Sequence, residues 1–308
     1  MTAARTGGTF FAPAKLNLTL EILGRRADGY HELESLVVFA GVGDCLEVEA
    51  AEELSLELSG PFAAELARAE GENLVLRAAR LLAAHAGVEP KARLRLQKNL
   101  PLGAGLGGGS SDAAVTLRAL AALWGLSLSP QALASLGLSL GADLPVCLYG
   151  RSALMRGIGE KLQAAPPVPP LWVVLLNPGE SLNTASVYRA RRGPFSSGGE
   201  WWSRLPQDAA EVASLLAAKR NDLEAPASRL CPSIGSLLSR LAETPGCLLA
   251  RMSGSGPSCF GLYGSEKEAR AAAAQLAKHR PDWWVAAAPL LQETASLGCD
   301  EAAGAWQS

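Results

Sequence analysis

Six cysteines occur in this 308-residue chain without a single C-x-x-C pair, and only three histidines accompany them. A zinc site built from closely spaced ligands is therefore not expected. Cys45, Cys147, Cys231, Cys247, Cys259 and Cys299 lie far apart in apolar contexts. They read as buried free thiols in a reducing, cytoplasmic compartment. Long apolar runs are also missing: no stretch approaches the roughly 18 residues that would span a bilayer. The opening Met-Thr-Ala-Ala-Arg-Thr-Gly-Gly lacks the apolar centre of a secretory signal. With a formal net charge of −2, there is no cationic surplus to attract nucleic acid or an anionic membrane. Internal repeats and low-complexity segments are absent. So are two familiar phosphate fingerprints, G-x-x-x-x-G-K-[ST] and a strand followed by G-x-G-x-x-G and an acid.

What is present is a globular composition, 48% hydrophobic and 19% charged, in a chain long enough for two domains with their own cores. The most informative stretch runs from Pro101 through Leu102, Gly103, Ala104, Gly105, Leu106, Gly107, Gly108, Gly109, Ser110 and Ser111 to Asp112. Its five glycines in seven positions allow repeated positive φ and bring backbone N–H groups to one point. An apolar, Ala-rich helix follows, with Ser110, Ser111 and Asp112 as available caps. A glycine loop at a helix N-terminus suits a polyphosphate.

Before this loop the chain is β-rich. Alternation of Leu16, Leu18 and Leu20 with Asn17 and Thr19 predicts a strand within residues 9–23 that points Lys15 and Asn17 together toward solvent or a ligand. Asp28-Gly29 is a turn, and Tyr30 and His31 follow it as ring groups able to hold a flat heterocycle. Further strands are expected over 33–40, 46–50, 54–58 and 92–96, and an Asn73-capped helix over 74–85 ends at Gly87. Ser129-Pro130 opens another helix. Asp143 stands between a glycine turn and a proline-stiffened segment. The run Pro166-Pro167-Val168-Pro169-Pro170 is a semi-rigid spacer, which places a domain boundary there: 1–165 and 166–308. Beyond it come a strand over 172–176, a short helix carrying Tyr188, and a polar loop over 189–206 with Trp201 and Trp202. Strands over 248–253 and 259–263 flank a second Gly/Ser turn that could meet a phosphate or the first loop. A helix over 266–278 and a strand over 284–290 complete the chain. The order implies an α+β protein with a ferredoxin-like second domain.

Three segments, P-A-K-L-N-L, P-L-G-A-G-L-G-G-G-S-S-D and M-S-G-S-G-P-S-C-F, together resemble the GHMP kinase superfamily in order and spacing, over nearly the whole chain. G-Y-H-E-L, G-A-D-L-P and N-D-L-E narrow the resemblance to members that use ATP to phosphorylate the 2-hydroxyl of a cytidine diphosphate-linked methylerythritol in the non-mevalonate isoprenoid pathway. The resemblance implies a two-domain GHMP kinase fold. Its N-terminal domain is like ribosomal protein S5 domain 2, its C-terminal domain is ferredoxin-like, and a small-molecule substrate lies between them. It also implies Lys15 and Asp143 as the catalytic pair and residues 101–111 as the ATP loop. Asn17, Tyr30, His31 and Tyr188 fall at the cytidine end, with a Ser110 or Ser111 hydroxyl beside Mg²⁺, in a monomer or homodimer. Val146, where the family often has Phe, and a long polar loop from Arg191 to Trp202 depart from the pattern. Kinases of the superfamily acting on mevalonate or homoserine, a diphosphomevalonate decarboxylase and a non-catalytic nucleotide-binding regulator share the scaffold.

Overall fold

The computed structural model describes residues 7–199, 205–294, 298 and 299. Its strands are β1 (Gly8–Asn17), β2 (Glu21–Arg25), β3 (His31–Glu49), β4 (Ser55–Ser59), β5 (Arg93–Gln97), β6 (Ala153–Gly157), β7 (Lys161–Ala164), β8 (Trp172–Asn177), β9 (Leu249–Met252), β10 (Cys259–Tyr263) and β11 (Trp284–Leu291). The helices are α1 (Ala63–Arg68), α2 (Leu74–Ala86), α3 (Gly108–Leu123), α4 (Pro130–Leu140), α5 (Leu144–Tyr149), α6 (Thr184–Ala190), α7 (Ala209–Ala217), α8 (Glu224–Leu230), α9 (Ser233–Ala242) and α10 (Glu266–His279). The architecture is α+β.

β3 is the trunk. It pairs antiparallel with β1, β2, β5, β6 and β11, so one long strand carries the N-terminal half. Strands expected separately over 33–40 and 46–50 are thus one continuous element. Gly43 does not turn the chain; it lies so close to the backbone at Ala12 and Pro13 that no Cβ would fit. A register shift between Pro13 and Ala14 absorbs the irregularity on the facing strand. The C-terminal half forms the antiparallel run β11-β8-β10-β9, in keeping with the strand–loop–strand–helix–strand expectation. Leu290 and Leu291 of β11 pair with Ala40 and Phe39 of β3, which makes the two halves one hydrogen-bonded sheet. The proline-rich segment after β7 runs without regular structure into β8.

Two apolar clusters are buried. One gathers α2, α3 and α5 residues such as Leu82, Leu117 and Val146 against Phe39 and Leu94. The other joins Leu16, Leu18 and Val38 of the first half to Val173 and Phe260 of the second. Because Leu16 and Leu18 pack there, Lys15 and Asn17 face the opposite side. That side too is closed: the two residues are only 2% and 1% exposed. The solvent-facing alternative for them is therefore excluded by the helices and loops that cover this side.

Cys45 and Cys299 form a disulfide with their Cα atoms 5.9 Å apart, which corrects the expectation of free thiols throughout. They are 254 residues apart in sequence, and only the return of β11 to β3 brings them together. Cys147, Cys231 and Cys259 are buried free thiols and Cys247 is half-buried. Among the described residues, no helix is long and apolar enough to cross a membrane. Trp201 and Trp202 lie outside the described residues.

Candidate active site

A cleft of about 1470 Å³ is lined by both halves of the chain. The glycine loop forms one wall. Gly103, Gly105 and Gly107 adopt φ of +57°, +74° and +63°, a region closed to most side chains. The helix that follows starts at Gly108 with Gly107 as its N-cap and no side-chain cap. Ser110, Ser111 and Asp112 were expected to cap it from outside, but they lie inside its first turns. The consequence is chemical: no side chain occupies the first N–H groups of α3, and they remain available to an anion at the positive end of the helix dipole. Ser110 lines the cleft, whereas Ser111 is buried in α3 and does not.

The loop is braced from behind by the second Gly/Ser turn, residues 253–258. A Cβ at Gly105 would stand 2.7 Å from Ser253 O and 2.8 Å from Gly256 O. Ser253 Oγ donates to Gly105 O at 3.1 Å and Ser258 N to Ala104 O at 3.1 Å. Of the two roles open to this turn, the structure shows contact with the first loop. N-D-L-E fixes that turn in place: Asn221 Nδ2 donates to Met252 O and Gly254 O, and Glu224 Oε2 accepts Met252 N–H. Asp222 Oδ2 accepts Ile22 N–H at 2.7 Å, tying the same segment to β2.

Lys15 and Asp143, 128 positions apart by their numbers, meet with Nζ 2.9 Å from Oδ2. The lysine side chain is 3% exposed and that of the aspartate 36%, so the ammonium is held inside while the carboxylate faces the cleft. Asp143 is the N-cap residue of α5, and its side chain makes no capping bond. It is therefore placed by backbone geometry and left free to react. Lys15 N donates to Leu106 O at 2.8 Å, and a Cβ on Gly107 would come within 3.0 Å of Lys15 Cε. The glycine loop thus lies directly on the lysine. Asn17 Oδ1 accepts from Lys15 Nζ at 2.8 Å, and Asn17 Nδ2 donates to Ser35 Oγ at 2.7 Å. Asn17 N donates in turn to Ser253 Oγ at 3.1 Å. Asn17 accordingly orients Lys15. Ser253 belongs to the second Gly/Ser turn already legible in the sequence, whereas Ser35, which completes this network, carries no distinguishing local signal.

At the other end of the cleft, the His31 and Tyr188 rings lie 5.2 Å apart, tilted by 36°. Tyr30 lines the same end and is 60% exposed. Burial lowers the His31 pKa, and the nearby Arg25 and Arg191 guanidinium groups lower it further. Burial raises that of Tyr188, as does the Asp143 charge, which places this ring within electrostatic reach of the carboxylate. Burial also pushes the Cys147 thiol up to about 12, with Asp143 adding to the rise; it is no nucleophile at neutral pH. The loop after α6 is anchored over the first half by Ser196 N–H donating to Ile22 O at 2.8 Å. Arg191 stacks on Phe195 within it. Val146 is fully buried in the core and does not line the cleft.

Among the described residues, no group of three or more His, Cys, Asp or Glu side chains could hold a metal ion. The cleft offers isolated carboxylates and the Ser110 hydroxyl instead. This donor set fits a magnesium ion carried mainly by phosphate oxygens and water.

Models of known families match both halves of the chain: GHMP kinases N terminal domain over residues 73–151, and GHMP kinases C terminal over residues 205–282. The 4-diphosphocytidyl-2-C-methyl-D-erythritol kinase of Paramagnetospirillum magneticum is 54% identical over 280 residues, 91% of this chain and 97% of that one. Its counterpart from Parvibaculum lavamentivorans is 51% identical, covering 89% and 95%. A crystal structure of 4-(cytidine 5'-diphospho)-2C-methyl-D-erythritol kinase superposes with a TM-score of 0.72 at 39% identity, covering 92% of this chain and 99% of that one. L. major mevalonate kinase shares the fold at a TM-score of 0.67 and 17% identity, covering 95% and 98%. By these matches over nearly its full length, the chain belongs to the GHMP kinases, in the family of 4-diphosphocytidyl-2-C-methyl-D-erythritol kinases.

Proposed function

We propose that this protein transfers the γ-phosphoryl group of ATP to the 2-hydroxyl of 4-diphosphocytidyl-2-C-methyl-D-erythritol, a step of the non-mevalonate isoprenoid pathway. The observation that carries the reading is the convergence in one cleft of three things: a glycine loop opening a helix, the Lys15–Asp143 pair, and the His31–Tyr188 ring pair.

Phosphoryl transfer asks the protein mainly to position reactants and neutralise charge. The N–H groups of residues 103–110 cradle the β- and γ-phosphates. Asp143 accepts the proton of the attacking hydroxyl, which must come within about 3 Å of its carboxylate. Lys15 spends two of its donors on Asn17 and Asp143. Its third is available to the transferring group, where the ammonium stabilises the developing charge. The Ser110 hydroxyl that lines the cleft would help hold Mg²⁺, which would supply charge neutralisation on the phosphates. His31 hydrogen-bonds the polar edge of the cytosine while Tyr188 stacks on its face, and Tyr30 closes the exposed side.

The test is ADP release by the purified protein against a panel of acceptors: the cytidylylated methylerythritol, the same polyol without cytidine diphosphate, mevalonate, homoserine and galactose. ADP formation with the first alone is the expected result. Equal use of the uncytidylylated polyol would remove the cytidine assignment. Release of CO₂ from diphosphomevalonate would replace the kinase reading with a decarboxylase.

A further inference from the structure

At the base of the glycine loop, in the cleft that Lys15 and Asp143 also line, one ammonium is buried between two carboxylates. Lys98 Nζ lies 2.7 Å from Asp112 Oδ2 and in hydrogen-bond contact with Asp44 Oδ2. The three side chains are 3%, 3% and 0% exposed, respectively. None of them takes part in the chemistry described above. From this geometry we propose that Lys98 is a positioning residue for the nucleotide: its ammonium clasps the two ends of the phosphate loop and holds the loop in its ATP-binding shape. The proposal rests on the reading of residues 101–110 as the ATP loop.

Three observations support the clasp. First, the connections span the loop. Asp44 Oδ1 accepts Asn99 N–H at 2.6 Å and Leu100 N–H at 2.8 Å, while Asn99 Nδ2 donates to Gly43 O at 3.1 Å. The segment entering the loop is thereby fixed to β3. Asp112 lies in α3, just past the loop's exit, so the ammonium ties entry to exit across 14 residues. Second, the clasp touches the loop's last turn. A Cβ at Gly108 would lie 3.1 Å from Lys98 Nζ and 3.5 Å from Asp44 Oδ2. The first residue of α3 therefore rests on the charged centre. Third, the loop has little of its own to hold it. Three of its glycines sit at positive φ, each with large conformational freedom to lose on ordering. Preorganising that backbone is what converts loop N–H groups into affinity.

The charges are not balanced, and this makes the clasp testable. Asp112 Oδ1 is buried without a hydrogen-bond partner. Burial pushes the Asp112 pKa well up, and the neighbouring Asp44 carboxylate pushes it further. Burial lowers that of Lys98, but Asp112 and Asp44 more than offset this and keep it charged. One carboxylate is thus in excess. Asp112→Asn keeps an acceptor for Lys98 and removes the surplus charge. Asp44→Asn cannot be so neutral: both oxygens of Asp44 already accept, and an NH₂ group in either place would face a donor.

The experiment is calorimetric titration with a non-hydrolysable ATP analogue, together with kcat and both KM values, for wild type, Lys98→Met, Asp44→Asn and Asp112→Asn. Lys98→Met should weaken the analogue and raise KM for ATP by about tenfold or more, as loss of buried charge-assisted bonds implies. KM for the acceptor should stay within about twofold, a split that general destabilisation does not produce. Asp112→Asn should retain affinity within about threefold. A folded Lys98→Met protein with wild-type nucleotide affinity would overturn the proposal, as would equal shifts in both KM values. If Lys98→Met does not fold, the two asparagine variants decide: weaker binding by Asp44→Asn alone supports the clasp, and equal affinities refute it. Wild-type protein that binds no analogue would instead remove the phosphate-loop reading on which the clasp depends.

Discussion

The two ends of the cleft are built differently. At the Lys15–Asp143 end the surroundings of the lysine are themselves held: Asn17 by Ser35 and Ser253, the loop by Ser253 and Ser258, and that turn by Asn221 and Glu224. At the His31–Tyr188 end the rings make only a tilted contact and Tyr30 is mostly in solvent, although the covering loop is pinned through Ser196 and Arg191 to Ile22, Asp222 and Arg220. The contrast follows from the work each end performs. A proton acceptor and a phosphoryl group must be aligned to fractions of an ångström, and a misplacement of about 1 Å can cost a hundredfold. A flat base tolerates small slides on an aromatic ring, and binding there can adjust as the ligand arrives.

The largest effect is expected at the Lys15–Asp143 end. Asp143→Asn keeps the shape but cannot take a proton, and kcat should fall about 10²–10⁴-fold with nucleotide affinity little changed. Steady-state rates and a binding titration on the same preparation check this; a variant retaining half the wild-type kcat would take Asp143 out of the mechanism. Next in size is Gly107→Val. A β-branched residue at φ +63°, pressed onto Lys15, carries strain of about 1–3 kcal/mol. It should raise KM for ATP about tenfold or more and depress kcat as well, since the same side chain pushes the lysine. Unchanged kinetics in a folded protein would mean that the loop neither cradles phosphate nor supports Lys15.

Smaller effects are expected at the open end. Tyr188→Ala and His31→Ala should each raise KM for the cytidylylated acceptor about tenfold, the range of one lost base–aromatic stack or buried hydrogen bond. KM for ATP should stay unchanged, and equal changes in both constants would contradict the division of labour. The mildest test is protonation. The His31 pKa is held below the ordinary 6.5 by burial and by Arg25 and Arg191, so the neutral ring is the folded form's preference. Below pH 6.5 the unfolded chain binds the proton first, and the stability due to this group declines as pH falls toward the lowered value. In an NMR titration the His31 midpoint should lie below pH 6.5, and Arg25→Gln should bring it up. A midpoint already at or above 6.5 would refute the electrostatic picture of this end.

Much of the fold was legible because it rests on local chemistry. Asn73 accepts from Val75 N–H at the start of α2, and Gly87 ends that helix at φ +67°. Ser129-Pro130 caps and opens α4, and β10 falls on the expected residues, Cys259–Tyr263. Such signals need only neighbours a few positions away. The single long β3 was not legible, because the glycines at 41 and 43 read locally as a break. Gly43 instead serves a close approach to β1, some thirty positions earlier in the chain. The α3 start was misplaced by three to five residues for a related reason. Ser110, Ser111 and Asp112 are good caps in isolation, but the left-handed Gly107 begins the helix earlier and keeps its N–H groups clear.

By itself the amino-acid order determined which residue types stand ready: a loop of glycines before an Ala-rich helix, a lysine two positions from an asparagine, an acid set between glycine and proline, and rings after a turn. Tertiary structure alone decided their partners. It set Lys15 against Asp143, turned Asn17 inward onto the lysine and not toward solvent, and laid the second glycine turn on the first. It also buried Lys98 between Asp44 and Asp112 and paired Cys45 with Cys299. The physical reason is the same in each case. Charge neutralisation, hydrogen bonding and covalent pairing depend on distances of a few ångströms. The β3 trunk and the β11 return set those distances between residues that the sequence keeps far apart.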